Sequence, residues 1–141
     1  MKKNILILTL LLITIFSCKD KNIKNTGISQ INGSGFEPNW NITISNKNGK
    51  DYTFVLMTML GEKKTTGNLI LENNISEKEN TDIFFKGNDS NKEIITIMYK
   101  NESCLDMAGN DSGKTIIVKW NNQKLQGCAK LIRQNEKQNI N

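Results

Sequence analysis

Histidine is absent from all 141 residues. That removes the commonest general base, the usual activator of a nucleophile and the commonest zinc ligand together. Catalysis would have to rest on carboxylates or lysine. Cysteine is scarce, at three, and no pair stands at Cys-x-x-Cys spacing, which speaks against a redox or metal-binding thiol pair. No segment carries a helical apolar stripe of useful length, so a helix bundle is not expected. Basic side chains outnumber acidic ones, 19 to 14. They are scattered beside Asn, Glu or Asp without aromatic interleaving, however, and no nucleic-acid partner is expected.

What is present begins at the N-terminus. Lys2 and Lys3 precede an almost wholly apolar run from Ile5 to Phe16. A basic start followed by about a dozen apolar residues and a small residue is the layout of a secretory signal. The run is short for a transmembrane helix, which needs about 20 apolar residues. It stops at Ser17-Cys18-Lys19-Asp20. Ile15-Phe16-Ser17-Cys18 resembles the lipobox of bacterial lipoproteins, in which the cysteine after a small residue is acylated; Phe16 is bulkier than the usual occupant. The expectation is a signal peptide over 1–17, lipidation at Cys18, and a membrane partner held through that lipid. The address is the bacterial cell envelope, at the outer rather than the inner membrane, with the domain in the periplasm or at the cell surface. Loss of Lys2 and Lys3 leaves 17 basic against 14 acidic side chains, a net charge of +3, ordinary for solubility.

The rest suffices for one small domain. Residues 18–33 are Lys-, Asn- and Ser-rich, with isolated Ile23, Ile28 and Ile31, and read as the lipidated N-terminus and a flexible tether. Residues 134–141 are polar and read as a disordered tail. Between them, over 34–133, short β-branched and aromatic segments alternate with Asn, Gly, Asp and Lys. Trp40-Asn41-Ile42-Thr43-Ile44 alternates with the period of two expected of a half-buried strand. Asn46-Lys47-Asn48-Gly49 is a turn. Asp51 to Leu60 follows, with Tyr52, Phe54 and Leu56 on one face and Val55, Met57 and Met59 on the other. Further strands are expected over 68–72, 81–86 and 93–100, and a final hairpin pairs 115–120 with 124–129 around Asn121-Asn122. Seven to eight short strands at this spacing predict an all-β, small antiparallel barrel or sandwich. The barrel is preferred because closure removes exposed edges.

If Cys18 carries lipid, Cys104 and Cys128 are left, an even number in an oxidising compartment, and a disulfide is the economical reading. It would close a loop of about 25 residues, worth about 3.5 kcal/mol in the chain-entropy account.

Two clusters then stand out: Gly35-Phe36-Glu37-Pro38-Asn39-Trp40 at the start, and Cys104-Leu105-Asp106-Met107-Ala108-Gly109-Asn110 followed by Leu125-Gln126-Gly127-Cys128-Ala129. Together they resemble a family of bacterial envelope proteins, often lipoproteins, with a Glu-Pro-x-Trp start, a Cys-x-Asp…Met segment and a closing Gly-Cys. Such modules sometimes stand beside META (HslJ-like) or lysozyme-inhibitor domains. The family's glycine before Met is missing here, because Met107 follows Asp106 directly. The resemblance implies a small β domain with a disulfide, and no assigned activity.

On the residues themselves, Glu37, Trp40, Asp106 and Met107 are the candidates for ligand contact. Asp106, Asn110 and Asp111 have oxygen donors suited to calcium, but the EF-hand pattern is absent and turn chemistry explains the same residues. Met57, Met59, Met98 and Met107 form a set suited to a soft metal, with core packing as the simpler account. No metal and no cofactor is expected. The expected function is a non-catalytic binding or structural module, a monomer, meeting an envelope protein or small ligand. One alternative is a lysozyme-inhibitor-like protection protein. Another is a carboxylate hydrolase pairing Glu37 with Asp106 or Asp111.

Overall fold

A computed structural model describes residues 27–73 and 81–134. Eight strands follow one another: β1 (Ile28–Phe36), β2 (Asn39–Asn46), β3 (Asp51–Thr58), β4 (Lys63–Leu71), β5 (Ile83–Asp89), β6 (Ile94–Leu105), β7 (Asp111–Trp120) and β8 (Gln123–Arg133). Each pairs antiparallel with the next, and β8 returns to β1, so the sheet is a closed up-and-down barrel. Closure leaves no unpaired edge, which decides between barrel and sandwich.

The alternation that marks the strands also fills the barrel. Trp40, Ile42 and Ile44 on β2 point inward with Tyr52, Phe54 and Leu56 on β3, all at most 1% exposed. Every strand adds to this core, from Ile28 and Ile31 on β1 to Leu125 and Ala129 on β8. Tyr52 and Phe85 meet edge to face with centroids 4.9 Å apart, an arrangement worth about 0.5–1.5 kcal/mol beyond the area it buries. An eight-stranded barrel is just wide enough for its own side chains to fill it, and these do.

The N-terminal boundary differs from the expectation. The domain starts at Ile28, not at residue 34, so the stretch 28–33 read as tether is the first half of a strand. Its inward positions explain why no periodicity shows: two of them, Gly33 and Gly35, have no side chain. Ile116 methyls fill the first slot, 3.1 Å from where a Cβ would stand, and the Trp40 indole fills the second. β1 therefore supplies Ile28 and Ile31 to the core itself, and its second half is filled by its neighbours. It is also the strand that closes the barrel, pairing Gln30↔Ile132 and Ser34↔Cys128 on one side and Ile31↔Ile44 on the other. At the far boundary, Gln134 N–H donates to the Gly27 carbonyl at 2.9 Å. Cys18, the signal segment 1–17, the remaining tether and residues 135–141 lie outside the described residues.

Connectivity gives the barrel two ends. One carries the start of β1, the end of β8 and the β2–β3, β4–β5 and β6–β7 connections. Here Asn46 closes the β2–β3 turn by accepting the Gly49 N–H at 3.0 Å, and its amide donates to the Ile28 carbonyl at 2.9 Å. The other end carries the β1–β2, β3–β4, β5–β6 and β7–β8 turns. Asn121 and Asn122 both take positive φ, 49° and 57°, the two-residue hairpin geometry that asparagine tolerates. The strand expected to run on to Leu60 ends at Thr58, and Met59–Gly61 form a tight turn in which all three residues have positive φ.

Candidate functional site

β6 and β7 are longer than the wall they belong to. Pairing between β7 and β8 stops at Lys114↔Ala129, while the β6–β7 hairpin continues to Leu105↔Asp111. The excess forms an arm. It departs at Gly113, whose φ of 118° and close approach to the Ala129 carbonyl leave no room for a Cβ. Because Leu125 and Ala129 point inward, Cys128 points out. The Cys104–Cys128 disulfide, with Cα atoms 5.3 Å apart, therefore clamps the arm to the outside of the barrel, as the cysteine count implied.

Between the arm and the β8–β1 wall lies a groove of about 760 Å³. Its floor is the outward row Asn32, Ser34, Gln126, Lys130 and Ile132, and its rim includes Phe36, Leu105, Asp106 and Met107. Phe36 is 66% exposed, Leu105 62% and Met107 88%. Three large apolar side chains thus stand in solvent around one concavity beside a disulfide. Scattered exposed apolar residues are ordinary, but a group around a groove marks a contact surface.

Asp106 organises the arm tip. Its Oδ1 accepts the Ala108 and Asn110 N–H groups, each at 2.8 Å, and its Oδ2 accepts the Asn110 amide at 3.3 Å. The Asn110 N–H is the main reason its carboxyl lies below the ordinary carboxylate range; desolvation opposes it, and the Asn110 amide and the Ala108 and Gly109 N–H groups add smaller lowering contributions. Asp111 in turn accepts the Gly113 N–H at 2.9 Å. Both acids are thus engaged in local turns.

The four candidate contact residues do not form one site. Asp106 and Met107 share the groove. Glu37 is exposed in the β1–β2 turn and is not among the groove residues. Trp40 is no surface contact: it lies inside the barrel at 1% exposure, its indole against Gly35. Its Nε1 has no hydrogen-bond partner among the described residues. The pairing of Glu37 with Asp106 or Asp111 as a catalytic dyad therefore has no assembled geometry behind it. The methionines are separate as well, since Met57 and Met59 belong to β3 and its turn, Met98 to β6 and Met107 to the arm. Among the described residues no three Cys, Asp or Glu side chains gather as metal ligands do.

One residue of consequence was read only as part of a turn. Asp89 ends β5 at 5% exposure. Its Oδ1 accepts the Asn91 and Glu93 N–H groups at 2.8 and 2.9 Å, and its Oδ2 accepts the Trp120 indole N–H at 3.0 Å. Burial pushes this carboxyl up. The bonds from Glu93, Trp120 and Asn91 together outweigh burial and hold it below its ordinary value. Lys63 lies 5.5 Å from the Trp120 ring centroid on the same end. The turn signal Gly87-Asn88-Asp89-Ser90 could flag this residue but not its partner 31 positions away. The arrangement is complete in itself and seals the barrel end.

The chain matches no family model, no curated protein and no solved structure. The resemblance of the Glu37–Trp40 and Cys104–Cys128 segments to envelope lipoproteins accordingly rests on those residues alone.

Proposed function

We propose that the chain is a lipid-anchored protein of the bacterial envelope whose barrel is a non-catalytic binding or structural module, working through the outside of its β8–β1 wall. The signal layout of Lys2, Lys3 and the apolar run to Phe16, followed by Ser17-Cys18, supports the anchor. One observation carries the binding reading: the barrel interior is occupied by its own side chains, while the groove under the disulfide-held arm exposes Phe36, Leu105 and Met107. A filled barrel has no internal ligand chamber, so recognition falls to the wall. The disulfide would fix the arm in the oxidising compartment that the anchor implies.

Expression of the full chain in a bacterial host fed an alkyne analogue of palmitate tests the anchor. The label should appear on the membrane-fraction protein and vanish in Cys18→Ser. Unlabelled protein in the soluble fraction, or label that survives the substitution, would overturn the reading.

A further inference from the structure

We infer that the outer face of β5–β8 binds a soluble ligand carrying several phosphate groups, through a row of lysines that strand pairing assembles. The basic side chains are scattered along the sequence, and the register gathers three of them. Lys86 lies opposite Thr96, Thr96 opposite Lys119, and Lys119 opposite Lys124. All three lysines are exposed. They point outward because their chain neighbours Phe85, Val118, Trp120 and Leu125 point into the core. Strands stand about 4.8 Å apart, so the row spans about 14 Å around the barrel.

The row has no counter-charge. Among the described residues its three lysines form no ion pair, and the Lys100–Glu102 pair lies further along β6. Asp89 and Glu93 belong to the β5–β6 turn, where Asp89 is occupied by its own backbone and by Trp120. Lys119 and Lys124 face each other directly, an arrangement that costs stability. The next outward row is apolar, with Phe84, Met98 and Ile117 in register. On the other side Ile94 is 62% exposed. Low-dielectric flanks strengthen the field of a row of one sign. Thr96, Lys119 and Lys124 also line a shallow concavity of about 380 Å³, together with Asn121, Asn122 and Gln123.

This donor set favours phosphate over carboxylate. Lysine binds phosphate as a point charge, whereas planar recognition of a carboxylate favours the guanidinium fork. The chain's single arginine, Arg133, is at the end of β8. Two ammonium groups from directly opposed positions suit one tetrahedral group of up to two charges, with the Thr96 hydroxyl and the amides as further donors. Lys86, about 10 Å from Lys119, extends the row to a second phosphate.

The probe is tripolyphosphate, titrated by calorimetry at low ionic strength into protein made from the full chain and held in neutral detergent. The face is independent of the anchor, because detergent carries the protein whether or not Cys18 is acylated. Saturable binding is expected. Lys119→Gln with Lys124→Gln should weaken it about tenfold and Lys86→Gln about threefold, while Lys64→Gln on β4 leaves it unchanged. Relief of the opposed charges should keep the melting midpoint of the double variant at or above the native one, so the loss is not unfolding. Citrate, a carboxylate anion, should bind about fivefold more weakly than tripolyphosphate. Equal affinity for the two anions overturns the phosphate assignment. Equal weakening in every variant, Lys64→Gln included, is a general charge effect and overturns the site. Binding of a single-stranded oligonucleotide but not of tripolyphosphate, or of neither, overturns the proposal as well.

Discussion

An end and the flank of the barrel use the same device under opposite conditions. At one end Asp89 accepts two backbone N–H groups of its own turn, and on the flank, at the tip of the arm, Asp106 does the same. Asp89 is buried and adds a bond from Trp120, a residue from a distant strand. Asp106 is exposed, and its bonds stay within five residues. The local geometry is alike; the surroundings decide what depends on it. Asp89 ties a turn to the core, so its loss is felt by the whole barrel. Asp106 shapes a surface arm whose attachment depends on a disulfide.

The comparison can be broken most forcefully at the disulfide. Cys104→Ser with Cys128→Ser should lower global stability by up to about 3.5 kcal/mol, the loop-closure value for this spacing. In denaturant titrations the midpoint should fall while the eight-strand circular dichroism persists in the absence of denaturant. An unchanged midpoint would mean that the arm is not held by the bridge.

At the barrel end, Asp89→Asn keeps an acceptor for the backbone but sets an amide N–H against the Trp120 indole. The expected cost is about 2 kcal/mol, in the range of hydrogen bonds to a charged group. The pH dependence has a definite sign. A carboxyl whose value is lowered by folding stabilises fully above its unfolded value and loses that contribution as pH falls through the folded one. Melting native and Asp89→Asn proteins in parallel should show a gap that is full above the ordinary carboxylate range and narrows as pH falls below it. A gap that is constant or widens in acid would contradict the assignment.

These differences also show what was legible beforehand. β2, β3, β6 and the last hairpin announce themselves through alternation, because their inward residues are large. The bridge was legible from parity, two cysteines remaining after Cys18. β1 was not, because Gly33 and Gly35 leave its inward face to Ile116 and Trp40, side chains supplied by other strands. Closure was expected on the ground of edge protection, but the strand that accomplishes it, β1 paired with β8, was not. Asp89 was visible as a turn residue, but its partner lies across the barrel. The groove depends on an arm that leaves the wall at Gly113, and nothing in the alternation of 111–120 reports that departure. Asp106 and Met107 were singled out by residue type, and only the fold shows that one shapes the arm and the other is presented by it.

The account rests on an arm held against the β8–β1 wall by the Cys104–Cys128 bridge. Hydrogen exchange read by mass spectrometry, on the oxidised protein and on the Cys104→Ser, Cys128→Ser variant, tests that most directly. The prediction is much faster exchange at amides 105–110 in the variant and a far smaller change at 90–93. Equal exchange across the arm in the two proteins, or the larger change at 90–93, would contradict it.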